Sequence, residues 1–342
     1  MTTLHLELSP HGYDITVGAG VLHSAAEYFK LDRKVLIVTD TGVPREYAEC
    51  VLSQCREGRI LTVPEGEGSK STRGLESVLS AMCEMNMTRG DCAVAVGGGV
   101  VGDLTGFAAA SYMRGIDFYN VPSTVLSQVD SSIGGKTAIN FMGIKNIVGA
   151  FYQPRAVLID TELLSTLPKR QISNGLAEAV KMSLTSDAAL FEKFESLSFS
   201  EILKNIEDVI ISSLKIKRGV VELDEREGGL RKILNFGHTL GHGIEAEEEM
   251  RGMYHGECVA LGMIPMCAPE VAKRLVAVLD KLGLPTGYCG NLDGALAFVT
   301  HDKKCHGGKV SAIRVPEVGK FEISYMTADE FAETVKNSIL CK

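Results

Sequence analysis

Five short runs, KVLIVTD (34–40), RILTVP (59–64), DCAVAV (91–96), DFYNVP (117–122) and AVLID (156–160), are rich in β-branched and other apolar residues, with little regular alternation. Strands of that kind have both faces buried. Between them lie stretches of helical character, among them residues 71–87 and GDLTGFAAASYM. Strands alternating with helices mean a mostly parallel sheet covered on both sides. LHLEL and YDITV read as an opening pair of strands ahead of this series.

Past about Asp160 the texture changes. ELLSTLPKRQISNGLAEAVKMSL, EILKNIEDVIISSLKIKRGVVELDE and ECVALGMIPMCAPEVAKRLVAVLDKLG carry helical periodicity, and KVSAIRV and KFEISY form a short hairpin pattern around PEVG. At 342 residues the chain is too long for one ordinary core. The expectation is an α/β N-terminal domain (1–165) with a mostly parallel Rossmann-like sheet, and a mainly α-helical C-terminal domain (166–342).

The formal net charge of −8 argues against a nucleic-acid or anionic-membrane partner. It leaves room for a small anionic substrate held by a local cluster of cations. Nine cysteines without a C-x-x-C pair or a regular framework point to reduced thiols. The opening MTTLHLELSPHGYDITV does not read as a signal peptide, and no apolar run reaches the length needed to span a bilayer. A cytoplasmic protein is the expectation.

Three features carry chemistry. GGGVVG (97–102) follows a buried strand, where glycines let backbone N–H groups approach a pyrophosphate. A tight turn without a ligand is the alternative. The fingerprint falls far from the first strand, and the acidic residue best placed for a ribose is Asp40, closing KVLIVTD. Secondly, His238, His242 and His255 fall in one short segment, and the first two share a helix face at i, i+4. Catalytic zinc takes three protein ligands, so spacing alone makes His238 and His242 both ligands. Thirdly, Lys and Arg recur in polar motifs beside glycine pairs such as Gly134-Gly135, where backbone can wrap an anion. Ammonium and guanidinium groups together suit a substrate bearing phosphate and carboxylate.

GGGVVGDLTGFAAASYMRG, VPSTVLSQVDSSIGGKTAIN, GIKNIVGAFYQP, GLAEAVK, DEREGGLRKILNFGHTLGHGIEAE, HGECVA and DKK, taken in order, resemble the 3-dehydroquinate synthases. The resemblance implies one NAD in the N-terminal domain and one zinc or cobalt ion in the helical domain. It puts the metal on Glu178, His238 and His255, and moves His242 to the substrate site. NAD would meet Asp40, the EGEGSK segment (Glu65, Gly66, Glu67, Gly68, Ser69, Lys70) and the loop Gly99, Val100, Val101, Gly102 and Asp103. Ser123, Thr124, Lys136, Lys145 and the LLST segment (Leu163, Leu164, Ser165, Thr166) match further cofactor positions. The substrate, a seven-carbon keto-acid phosphate, would be gripped by Asp130, Lys136, Asn146, Lys181, Lys217, Arg231, Asn235, His242 and the DKK lysines Lys303 and Lys304. Arg114 matches a residue that reaches the neighbouring subunit's site, which implies a homodimer.

The implied reaction is redox-neutral. It oxidises a carbinol transiently, eliminates phosphate, returns the hydride and closes a ring by an aldol step, within the shikimate pathway. Other sugar-phosphate cyclases and metal-dependent polyol dehydrogenases are the alternatives that share such a plan.

Overall fold

The structure, a computed structural model, describes residues 1–9, 11–248, 252–301, 309–338 and 340. It divides into two compact units, Met1–Pro168 and Lys169–Lys342. Among the described residues no helix is long and apolar enough to cross a membrane.

In the first unit the strands are β1 (Thr2–Leu6), β2 (Tyr13–Gly18), β3 (Lys34–Asp40), β4 (Glu57–Val63), β5 (Cys92–Gly97), β6 (Asp117–Pro122), β7 (Lys136–Phe141), β8 (Ile144–Phe151) and β9 (Ala156–Asp160). Helices α1 (Ala25–Tyr28), α2 (Arg45–Leu52), α3 (Thr72–Glu84) and α4 (Gly99–Ser111) accompany them. Seven strands form one sheet in the order β1-β2-β9-β6-β5-β3-β4, parallel except for the β1–β2 pair. Successive residues of a strand face opposite ways. Val35, Ile37, Val94 and Val96 enter one apolar core, while Leu36, Val38, Ala93 and Ala95 enter another. That is why those runs do not alternate with polar residues.

The order of strands also locates a crevice. From β3 the chain passes outward to β4, then returns past β3 to β5 and continues to β6 and β9. The winding therefore reverses between β3 and β5, and ligands of open α/β sheets bind outside the strand ends at such a reversal. Val38 is level with Ala95, so Asp40 and Gly97 end neighbouring strands.

β7 and β8 lie outside this sheet as an antiparallel hairpin, Lys136 opposite Phe151. The sequence reading saw here only polar motifs beside glycine pairs, because Gly134-Gly135 and GIKN masked the strand pattern. Just before β6, Met113, Arg114 and Gly115 all have positive φ, at 49°, 67° and 119°.

The second unit holds α5 (Lys169–Ser186), α6 (Ala188–Ser196), α7 (Phe199–Lys204), α8 (Ile206–Leu223), α9 (His238–Glu247), α10 (His255–Met263), α11 (Pro269–Lys281), α12 (Leu292–His301) and α13 (Ala328–Lys336). β10 (Lys309–Glu317) and β11 (Lys320–Thr327) make the expected hairpin, turning at Gly319.

Candidate active site

In the first unit the cofactor candidates gather at the reversal of the sheet. Gly99 to Asp103 form the first turns of α4, directly after β5, so backbone N–H groups and the helix dipole point out of the sheet there. Asp40 accepts from the Gly42 N–H at 2.8 Å. Burial raises its carboxyl pKa, aided by Glu65 and opposed by the amides of Gly42 and Val43. Glu65 itself is fixed by its N–H, which donates to Thr41 Oγ1 at 3.0 Å. Gly66 (φ 92°) and a short turn over Glu67–Ser69, with Gly68 at its centre, carry the chain to Lys70.

Lys70 is the hub of this region. Only 3% exposed, it donates to Asp103 Oδ2 at 2.7 Å and to Asn146 Oδ1, with Glu67 Oε1 at 3.8 Å. Its carbonyl accepts the Asn140 N–H at 2.7 Å, and Asn140 Oδ1 accepts the Asn146 N–H at 2.9 Å. One ammonium thus joins the EGEGSK turn, α4 and the β7–β8 hairpin, which carries Lys136, Lys145 and Asn146.

Ser123 and Thr124 follow β6, where the Ser123 N–H donates to the Gly97 carbonyl at 2.9 Å. Asp130 sits in the π-helical turn Ser127–Ser131. In the LLST segment, Leu163 and Leu164 are buried and Leu163 belongs to a core cluster. Ser165 donates to the Glu162 carbonyl and Thr166 bonds the Tyr47 hydroxyl at 3.2 Å. Arg114 is exposed.

In the second unit, Glu178 of α5, His238 of α9 and His255 of α10 bring one ligand atom each to a common point, all within 4.8 Å of one another. α9 and α10 meet backbone to backbone: a Cβ on Gly262 would lie 2.0 Å from the Gly237 carbonyl oxygen. Gly237, at φ 77°, turns the chain into α9 immediately before His238. That contact is what lets histidines on two different helices converge.

Hydrogen bonds aim both rings. His238 Nδ1 lies 3.1 Å from the Phe236 carbonyl, leaving Nε2 facing Glu178 Oε1 at 3.7 Å. His255 Nδ1 lies 3.2 Å from Glu245 Oε2, leaving Nε2 facing the same oxygen at 3.5 Å. An imidazole that gives its Nδ1–H to a carbonyl or carboxylate presents an Nε2 lone pair to a metal. Glu178 is 1% exposed and forms a close ion pair with Lys181 through Oε2, while Oε1 faces the two imidazoles.

Charge states differ between the two rings. Burial works against ionisation of Glu178, but Lys181 and His255 hold its carboxyl below the ordinary range. Burial, with Lys181 adding to it, drives His238 well down, so its ring is neutral. Burial would lower His255 too, but Glu178 and Glu245 hold it up to about 10, so its ring is cationic and would have to release the Nε2 proton to bind a metal. An ionised carboxylate and imidazoles aimed through Nε2 make a donor set for zinc or a similar cation, whose ligands at about 2 Å lie about 3.3 Å apart.

Spacing alone paired His238 with His242 as ligands, and the structure arranges them differently. The two rings are 5.3 Å apart, but Glu178 faces His238 and His255, and His242 is exposed one turn on. Glu245 escaped the sequence reading; its signal was its place three residues after His242 on a helix. His242, Glu245 and His255 form a second carboxylate–histidine group sharing His255, in which Glu245 occupies the Nδ1 side.

Lys181, Lys217 and Arg231 are buried at 1%, 5% and 2% exposure, on α5, α8 and the short helix Leu230–Asn235, elements that pack against one another. Arg231 donates to the Glu225 carbonyl, its N–H donates to Asp224 Oδ2 at 2.9 Å, and Asn235 donates to Glu227. Lys303 and Lys304 lie outside the described residues.

Comparison with known proteins matches the same stretches. The family model described as 3-dehydroquinate synthase N-terminal matches residues 60–174, and that described as 3-dehydroquinate synthase C-terminal matches residues 175–305. A 3-dehydroquinate synthase of Streptococcus sanguinis is 39% identical over 97% of this chain and 99% of its own. A crystal structure of 2-deoxy-scyllo-inosose synthase complexed with carbaglucose-6-phosphate, NAD+ and Co2+ superposes with a TM-score of 0.90 at 27% identity, covering 99% of this chain and 100% of that one. A 2-epi-5-epi-valiolone synthase from Streptomyces hygroscopicus, with NAD+ and Zn2+ bound, gives 0.87 at 25% identity over 96% and 97%.

Proposed function

The chain belongs to the 3-dehydroquinate synthase family and is a carbon–oxygen lyase that converts 3-deoxy-D-arabino-heptulosonate 7-phosphate to 3-dehydroquinate and phosphate; we propose that the two residue groups above carry that reaction. Its place is the shikimate pathway, and its cofactors are NAD and a zinc or cobalt ion. The observation that carries the assignment is Glu178, buried, ionised and paired with Lys181, faced by the Nε2 atoms of His238 and His255.

When bound, NAD takes up and returns the hydride, and the metal ion makes the alcohol proton easier to lose. The remaining work falls to side chains. Asp40, Glu67, Lys70 and the first turns of α4 would hold the dinucleotide at the sheet reversal. Lys136 and Asn146 on the hairpin would hold the phosphate, whose own oxygen can take the proton during elimination. In the second unit Lys217 and Arg231 would hold the carboxylate, with Lys181 and Asn235 fixing hydroxyls; in the first, Asp130 would do the same. His242, exposed beside the metal group, would relay a proton through water near neutral pH.

The substrate is thus a small anionic sugar-acid phosphate. The copy number is a homodimer. Phe141, Met142, Ile144, Ile147, Val148 and Phe151 are exposed on the β7–β8 hairpin, and an apolar two-stranded ribbon with an open edge is a pairing template. Exposed Arg114 would then serve the partner's site. Light scattering on the eluting protein should give twice the chain mass, and a monomer would end this part of the proposal. The acidic net charge supports an enzyme without a nucleic-acid partner, and nine cysteines without a C-x-x-C pair or a framework support a reducing, cytoplasmic setting.

One assay tests the reaction. Protein, NAD and the heptulosonate phosphate are mixed, and phosphate, NADH and chelator sensitivity are followed together. Phosphate equal to substrate consumed, without net NADH and abolished by chelator, is the expected result. Net NADH would instead mark a polyol dehydrogenase, and turnover only of a phosphate lacking the carboxylate would mark another sugar-phosphate cyclase. Glu178→Gln should lose bound metal and turnover together.

A further inference from the structure

On α5, Arg170, Asn174 and Glu178 stand at i, i+4 and i+8, one face of the helix. Each of the three meets the start of α10. Glu178 faces the ring of His255, the first residue of that helix. Asn174 Oδ1 accepts the Gly256 N–H at 2.6 Å. Arg170 grips Glu257 with two bonds, Nε to Oε1 at 2.6 Å and Nη2 to Oε2 at 2.8 Å. Its Nη2 also donates to the Gly252 carbonyl at 2.9 Å, and its guanidinium lies 4.2 Å from the centre of the Tyr254 ring.

The first turn of a helix leaves N–H groups without partners inside the helix. A tyrosine at the N-cap is not among the residues that satisfy them well. Here the task is divided. Glu257 reaches back to accept the Tyr254 N–H at 2.9 Å, and Asn174 supplies from a different helix the acceptor that Gly256 needs. Asn174 and Glu257 are 7% and 8% exposed, so water does not replace either bond. A Cβ at position 256 would lie 2.0 Å from the Asn174 carbonyl oxygen, so the two backbones are in direct contact at this rung. None of these contacts involves a ligand atom, yet together they fix where the Cα of His255 stands relative to Glu178.

We propose that Asn174 and the Arg170–Glu257 pair are positioning residues that set the reach of His255, and through it the affinity and geometry of the metal site. The proposal rests on the metal assignment made above. Loss of the Asn174 acceptor leaves a buried N–H unsatisfied at the residue next to His255, which frees the first turn of α10 to shift.

The test uses the full chain, with metal affinity read by competition against a chromophoric chelator and site geometry read from the visible absorption of the cobalt-loaded protein. Asn174→Ala should bind zinc about 10–100-fold more weakly, the range found when groups that orient metal ligands are removed, and should change the cobalt spectrum. Asn174→Asp, which keeps an acceptor oxygen, should restore both. Arg170→Ala, a change at a half-exposed side chain, should weaken zinc in the same direction and serves if Asn174→Ala does not fold. Wild-type zinc affinity and an unchanged cobalt spectrum in folded Asn174→Ala and Arg170→Ala would overturn the positioning role even if the melting temperature fell. Failure of the wild-type chain to bind one zinc would overturn the metal assignment itself, and this proposal with it.

Discussion

Glu245 holds the far side of the His255 ring: its Oε2 lies 3.2 Å from Nδ1, while Nε2 of the same ring faces Glu178. A residue that is not a ligand in the proposed site thus decides which nitrogen is offered to the metal. Glu245→Ala should weaken zinc binding about 10–100-fold and leave the melting temperature of the metal-free protein within a few degrees. Chelator competition and calorimetry check the two halves, and unchanged affinity would remove Glu245 from the site.

His242 shares a helix face with His238 but lies outside the Glu178 group. His242→Ala should retain one metal ion per chain and lower kcat by about 10²–10⁴, the usual contribution of a positioned proton carrier. Elemental analysis beside steady-state kinetics separates the outcomes. Loss of the metal would return His242 to the ligand set.

Lys70 is buried between Asp103, Glu67 and Asn146. Lys70→Met removes the cation and leaves carboxylates facing one another, a change of about 3–5 kcal/mol where a pair is fully buried and less here, because the Asp103 side chain is 21% exposed. Thermal unfolding should drop by several degrees, and calorimetric titration should show NAD bound at least tenfold more weakly. An unaltered NAD affinity would confine Lys70 to a structural part.

Asp117 lies between Arg33 Nη1 at 2.8 Å and Arg155 Nε at 2.6 Å. Burial alone would raise its pKa, but the bonds from the two arginines outweigh it and hold the carboxyl below its ordinary value. A lowered folded-state pKa adds stability that is present above the unfolded value, about 3.9, and is lost as pH falls through the folded one. Asp117→Asn should therefore be less stable than the parent at pH 7 by about 1.5–3 kcal/mol, and the gap should close at an acidic pH below the folded-state pKa. Urea unfolding at both pH values measures it. A gap that stays constant would mean the arginines hold a neutral partner equally well.

The central sheet was legible because KVLIVTD, DCAVAV and AVLID are long apolar runs whose burial on both faces leaves little room for another reading. The hairpin β7–β8 was not, since its residues are largely exposed and follow no buried period. At the site, local spacing found the histidines but could not sort them. Spacing along one helix cannot register a carboxylate sixty residues earlier, and only the contact of α5 with α10 brings Glu178 in. Asn174 carried no signal, because it acts across helices; Glu245 and Glu257 stand inside the quoted GHGIEAE and HGECVA motifs, but nothing along the chain shows which neighbour each one holds.

Met113 and Arg114 hold left-handed backbone in succession before Gly115. Such conformations disfavour side-chain-bearing residues by about 1–2 kcal/mol each. An engineer seeking heat resistance would place glycine or asparagine at both and gain stability. In doing so the engineer would erase the guanidinium proposed to serve the second subunit. A library screened for thermal endurance alone would therefore select against activity at this turn, and a two-residue stretch of strained backbone becomes a marker of where durability and turnover part company.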